Sequence, residues 1–226
     1  SYLPSTKIFI LGDDVTGESV ASKLSRIREK MKEEETTAHF LTSLDDIMWI
    51  TNLRAGDIEC NPVALSYMYI TLDDAVMFLQ ESETTDEVRD YLKSFGISLK
   101  KYEDVFEFLN GVKISGKVLL DTKKVNYLSF LTLSVKAEVV DAANPSTLMK
   151  AIKNETEIAR LKEAYIEDSV CVSKFHYWLK QNIGKIEITE LTAADYIDNL
   201  RKNVPGFIEL SFPTISGYGP NAAMNS

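Results

Sequence analysis

Short apolar runs alternate with stretches of helical period through the first 141 residues, and that alternation constrains the fold more than any other feature. Residues 7–11 (KIFIL) and 37–42 (TAHFLT) are rich in β-branched and aromatic side chains, the composition of strands. Between them Val20, Leu24, Ile27 and Met31 recur at helical spacing, which predicts a helix over 18–32. Ser43 opens a short helix, with Asp46 in capping-box position and Asp45 beside it as an ordinary solvated acid. Asn61-Pro62 marks a turn, and residues 63–71 and 75–79 read as the strands of a hairpin joined at Leu72-Asp73-Asp74. Thr85 caps a helix that Gly96 stops near Phe95. Helices over 102–109 and 124–133 then alternate with strands over 117–120 and 135–140. Such an order predicts an α/β fold, a mixed sheet flanked by helices.

The alternation stops at residues 141–146 (DAANPS), which read as a linker. Beyond it Asn154 caps a helix, with Glu157 in capping-box position. Ile158, Leu161, Tyr165, Val172, Phe175 and Leu179 continue its period to about Asn182. A helix of that length, ~40 Å, needs a second body to pack against. We therefore divide the chain into domains 1–147 and 148–226. A further helix, capped by Thr189 or Thr192, buries Ala193, Ala194, Ile197 and Leu200 and ends before Pro205.

Composition removes several functions. The net charge is −9, from 25 Lys+Arg against 34 Asp+Glu, and an acidic surface repels a phosphate backbone, so nucleic acid is not the partner. No run approaches the ~20 apolar residues of a membrane span. Cys60 and Cys171 are too few for a disulfide framework and read as reduced residues of a cytoplasmic protein. Ser1-Tyr2-Leu3-Pro4, without an initiator Met, reads as a cut.

Motif chemistry is sparse. Gly12-Asp13-Asp14-Val15-Thr16-Gly17-Glu18-Ser19 has the spacing of a phosphate-binding loop, but Glu18 stands where the lysine belongs. With Asp13 and Asp14 it would repel a triphosphate, so the segment reads as a turn before a helix. His39 and His176, the two histidines, have no neighbours at ligand spacing. No nucleophile elbow occurs, and Cys171 lies in mid-helix where a thiolate is disfavoured.

Three stretches carry a resemblance. The first runs Leu41-Thr42-Ser43-Leu44-Asp45-Asp46-Ile47-Met48-Trp49-Ile50-Thr51-Asn52-Leu53-Arg54-Ala55-Gly56-Asp57-Ile58, then Asn61-Pro62 and Ser66-Tyr67. The second is Met149-Lys150-Ala151-Ile152-Lys153-Asn154 running on to Glu157. The third is Thr189-Glu190, Ala193-Ala194-Asp195 and Arg201, then Ser211-Phe212-Pro213-Thr214-Ile215-Ser216-Gly217-Tyr218-Gly219-Pro220-Asn221-Ala222-Ala223. In order and spacing they resemble the long cytosolic form of the Xaa-Pro aminopeptidases (aminopeptidase P), of the creatinase/prolidase/methionine aminopeptidase group.

That resemblance implies a creatinase N-terminal-like α/β domain, followed by the first helices and strand of a "pita-bread" catalytic domain. It implies a hydrolase that releases the first residue from peptides with proline second. Two divalent metal ions, usually manganese, would be held by Asp, Asp, His, Glu and Glu, all downstream of the matched stretches, so this chain binds none and is inactive alone. It also implies a homodimer. Phe212, Thr214, Gly219, Pro220 and Asn221 would wall the substrate cleft. The family continues with two apolar residues and His-Tyr, whereas Asn225 and Ser226 depart from that pattern: either the chain is cut there, or intervening residues have been closed up, or the substitution is real, and we favour the first two. The alternative is a non-catalytic dimerisation or substrate-fencing module of the same ancestry.

Overall fold

The computed structural model describes residues 3–222, so the departure at Asn225 and Ser226 lies outside the described residues. Two compact units emerge, Ser1–Glu157 and Ile158–Ser226. The first contains β1 (Phe9–Ile10), α1 (Asp13–Thr16), α2 (Val20–Glu33), β2 (Thr36–Leu41), α3 (Leu44–Thr51) and β3 (Leu53–Arg54). It continues with β4 (Ser66–Thr71), β5 (Ala75–Leu79), α4 (Asp86–Ser94), β6 (Ile97–Lys101), α5 (Val105–Gly111) and β7 (Lys117–Leu120). α6 (Tyr127–Ser134), β8 (Val139–Asp141), α7 (Pro145–Ala151) and the first turn of α8 (Glu155–Asn182) complete it.

Six strands form one mixed sheet in the order β6-β5-β4-β2-β7-β8. β4 runs antiparallel to β2 and β5, whereas β2–β7, β7–β8 and β5–β6 are parallel pairs. Alternation along the strands divides the core into two layers. Met68 and Ile70 of β4, with Ala75, Met77 and Leu79 of β5, face Val20, Leu24, Ile27 and Met31 of α2 and Ile47 and Ile50 of α3. Tyr69 and Phe78 point the other way, to Val105 and Leu109 of α5 and Leu133 of α6. With both faces covered, a slip of one residue would exchange the two layers, so hydrophobic burial sets the register. The mixed sheet flanked by helices is the fold class expected from the alternation.

Several elements differ from that reading. β6 was not foreseen, because ISLKK buries only Ile97 fully and its lysines reach solvent at the sheet edge. Residues 141–146 are not a free linker: Asn144 and Ser146 are buried, and Pro145 starts α7 at a position where a missing N–H costs nothing. α7 packs against α3, and the first compact unit runs to Glu157. Ser43 makes no capping bond, and Asp46 is buried, not a solvated cap. Its partners, described below, lie about a hundred residues on, out of reach of a local reading.

The Gly12–Ser19 segment is a structural turn. Gly17 has φ +68°, and a Cβ there would stand 2.4 Å from Asn154 Oδ1. Asn154 Nδ2 donates to the Thr16 carbonyl at 2.8 Å, and Glu18 pairs with Arg26 at 2.8 Å. Glycine is required there so that the residue opening α8 can approach. The reciprocal box expected at that opening forms: Glu157 N–H donates to Asn154 Oδ1 and Asn154 N–H to Glu157 Oε2, both at 2.9 Å.

The second unit contains the rest of α8 and α9 (Glu190–Lys202). Thr189 and Thr192 cap α9 reciprocally. Trp178 of α8 stacks on Tyr196 of α9, ring centroids 4.1 Å apart. Asp168 holds Arg201 through two contacts of 2.7 and 3.4 Å, which raises the guanidinium pKa. The strand expected after α9 does not form among the described residues: 207–218 has no regular secondary structure, with a bend at 211–212, and is followed by a single 3-10 turn, Gly219–Ala222. A strand needs a hydrogen-bonding neighbour, and this unit supplies none.

Candidate functional site

The candidate wall residues lie in this irregular tail, which α9 acids hold at two points. The Thr214 hydroxyl donates to Asp198 Oδ1 at 2.5 Å. Glu190, in the first turn of α9, accepts from the backbone N–H of Tyr218 at 2.7 Å. The same carboxylate accepts from Asn221 Nδ2 at 3.1 and 3.2 Å. Gly217 admits the resulting turn, since a Cβ would stand 2.9 Å from the Asn221 carbonyl oxygen, and Gly219 takes φ +57°. Pro220 lies in the 3-10 turn. Thr214, Gly219, Pro220 and Asn221 are thus gathered along one side of α9. Phe212 is exposed, and its ring joins none of the stacked pairs among the described residues. Glu190 and Asp198 were not foreseen as partners. Their contacts bridge 28, 31 and 16 residues, spans on which a local pattern is silent.

A shallow apolar groove of about 430 Å³ opens elsewhere on the unit, lined by Tyr165, Ile166, Val170 and Lys174 of α8. Ile208, Phe212, Ile215 and Tyr218 of the tail are also exposed. A unit with this much bare apolar surface presents faces of the kind that other protein surfaces cover.

The first unit holds most of the perturbed ionisable groups, each with a structural explanation. Lys23 is buried, with its ammonium over the Trp49 ring and donating to Trp49 O at 2.9 Å and Asn52 Oδ1 at 2.6 Å. Burial depresses its pKa to about 8. His39 is buried within β2, bonded through Nδ1 to Leu119 O at 3.0 Å, and burial lowers its pKa to about 4. Asp46 contacts Lys150 Nζ at 3.0 Å and Lys124 Nζ at 3.5 Å, and accepts from Asn144 Nδ2 and Thr147 Oγ1 at 3.2 Å each. Burial opposes the charge of Lys150, but its hydrogen bonds to Asp45 and Asp46 outweigh that and raise its pKa. Glu83 is buried beside Asp57, and desolvation, then the Asp57 charge, push its pKa up to about 8. Within the first unit Lys23 thus ties α2 to α3, and Asp46 ties α3 to α7.

Nor do they make a metal centre. Among the described residues no group of three or more His, Cys, Asp or Glu side chains could hold a metal ion. No helix among them is long and apolar enough to cross a membrane.

Residues 1–157 match the creatinase/prolidase N-terminal domain. The chain belongs to that family. Curated relatives extend the likeness past the domain. A probable Xaa-Pro aminopeptidase P of Sordaria macrospora is 34% identical over 98% of this chain and 38% of its own length. Xaa-Pro aminopeptidase 1 of Dictyostelium discoideum is 34% identical over 98% of this chain and 36% of its own length. The creatinase-type chain thus spans well under half the length of these relatives. In fold it is similar to the X-prolyl aminopeptidase of Caenorhabditis elegans, described as a cytosolic enzyme with a di-nuclear active site. That match has a TM-score of 0.87 at 24% identity, over 98% of this chain and 39% of the other.

Proposed function

We propose that residues 1–147 form the second N-terminal domain, and residues 148–226 the opening of the catalytic domain, of a cytoplasmic Xaa-Pro aminopeptidase. The observation that carries this reading is the 34% identity to enzymes of that name over 98% of the chain, beyond the 157 residues of the N-terminal domain. The substrates are peptides with proline second. Their scissile bond is a tertiary amide whose nitrogen carries no proton. In this reading Phe212, Thr214, Gly219, Pro220 and Asn221 line the approach to the cleft, where they orient the peptide and exclude water. Two divalent metal ions, usually manganese in such enzymes, would supply the activated water. Among the described residues no group of three or more His, Cys, Asp or Glu could hold them; in this reading the ligands come from other parts of the full gene product, and we propose that the 226 residues are inactive without them.

The test is hydrolysis of Xaa-Pro and matched Xaa-Ala peptides by the full gene product, with and without chelation followed by Mn²⁺. Cleavage of the proline peptide, lost on chelation and restored by Mn²⁺, is expected. A full-length product that leaves both peptides intact sinks the reading. One observation favours the alternative, a non-catalytic dimerisation module: Tyr127, Leu128 and Leu131 of α6, with Val135 after it, form an exposed apolar row. Sedimentation of the full product decides whether it is a homodimer.

A further inference from the structure

We infer that Glu190 is a positioning residue for the cleft wall: it clamps the Gly217–Asn221 turn and fixes which end of the Asn221 amide faces a peptide. The inference rests on the reading of that turn as cleft wall. Its geometry does not, because both contacts of the clamp belong to the second unit.

Glu190 begins α9, where the positive end of the helix dipole favours a carboxylate. An ionised carboxylate accepts hydrogen bonds and donates none. It therefore selects donors, and it collects two kinds: the Tyr218 backbone N–H at 2.7 Å and Asn221 Nδ2 at 3.1 and 3.2 Å. For Asn221 the consequence is directional. Its amide could lie either way round in a neutral setting, but against a carboxylate the NH₂ must face inward. The carbonyl oxygen Oδ1 then faces away from Glu190, able to accept from a peptide N–H or an N-terminal ammonium. Gly217 and Gly219 give the backbone the freedom this turn needs, and Glu190 removes it again by fixing both ends.

Glu190→Ala and Glu190→Gln are made in the full gene product, with Glu187→Gln, at an exposed neighbour, as the control. Two readouts are taken. The first is KM and kcat on an Xaa-Pro peptide. The second is amide hydrogen exchange over residues 217–221. Glu190→Ala should raise KM about tenfold, the effect of losing a hydrogen bond to a charged group, with kcat within about twofold. Glu190→Gln fills the same volume but carries a donor that lets Asn221 turn over. It should raise KM about threefold, an effect that simple space-filling would not produce. Exchange over 217–221 should quicken in both variants. Unchanged exchange in Glu190→Ala overturns the clamp. Quickened exchange with KM unchanged overturns the cleft role and leaves only a structural tie. If the wild-type product cleaves no Xaa-Pro bond, the functional reading and the cleft role fall together, and exchange alone decides the clamp.

Discussion

The two units are built to different degrees of completeness. The first closes two apolar layers over both faces of a six-stranded sheet. The second buries only Cys171, Ala193 and Ile197 among its described hydrophobic residues, and leaves Tyr165, Ile166, Tyr177, Leu191, Phe212 and Ile215 in solvent. The difference lies in secondary structure as much as composition. A covered sheet gives each strand residue a defined layer, whereas two helices joined by a short loop cover only one stripe of each other. The first unit therefore holds its stability internally, and the second presents surface that other polypeptide would cover.

The largest expected effect tests that contrast directly. Phe78 is fully buried, and the Phe108 ring meets it edge-on at 5.3 Å, as it also meets Tyr69. Phe78→Ala should destabilise the first unit by about 3–5 kcal/mol, the usual cost of an aromatic cavity. A urea melt followed by tryptophan fluorescence measures it. A cost below about 1 kcal/mol would mean that the layer collapses around the gap, and that the first unit is not the rigid partner in the comparison.

Ionic ties differ in the same direction. Lys150→Met leaves buried Asp46 with Lys124 at 3.5 Å as its remaining cation, beside the neutral donors Asn144 and Thr147, and should cost about 2–3 kcal/mol. Arg201→Met breaks the pair with Asp168 in the second unit. That carboxylate is 46% exposed and regains water, so the cost should be about 0.5–1 kcal/mol. Equal losses in the two melts would break the comparison.

The pH dependence of stability should come mainly from the first unit. The Glu83 pKa is raised from 4.5 to about 8, so the folded state holds its proton more tightly than the unfolded chain. That contribution is complete below pH 4.5 and is lost progressively as pH rises toward 8. Lys23 runs the other way. Its pKa falls from 10.5 to about 8, so its buried charge costs stability below pH 8, and the cost disappears as pH rises toward 10.5. Together they predict a minimum near pH 8. Glu83→Gln should remove the falling limb, so that the variant gains on the wild type at pH 8 relative to pH 5. Tm measured across pH 4 to 10 checks this, and parallel curves for the two proteins would show that Glu83 does not titrate in this range.

Most of the first unit was legible in sequence wherever local chemistry decided the structure. β7 begins and ends where the strand over 117–120 was placed, Thr85 caps α4, and the box at Asn154 and Glu157 closes reciprocally. What escaped was set at long range. Asp46 looked like a cap because its neighbours in sequence allow one, yet its partners are Lys124, Asn144, Thr147 and Lys150. β6 is held by pairing with β5 rather than by its own pattern. In the candidate wall, family motifs gave Thr214 and Asn221 a role, but they included Glu190 without one and did not include Asp198. Asp198 and Glu190 acquire that role only when the tail comes back along α9.

The smallest expected effect is the sharpest test of incompleteness. Tyr177 lies on α8 and is 69% exposed, so the folded chain gains little from burying it. Tyr177→Ser in the 226-residue chain should change the unfolding free energy by less than about 0.5 kcal/mol. If further polypeptide covers this face in the full gene product, the same substitution there removes a buried aromatic side chain. There it should cost about 3 kcal/mol, the scale of truncating a buried aromatic. The paired urea melts separate two accounts of the second unit. A loss that grows with the length of the protein means that further polypeptide covers the bare face of α8. A loss that stays small in both means that Tyr177 is ordinary solvent-facing surface, and that the second unit is complete on that side.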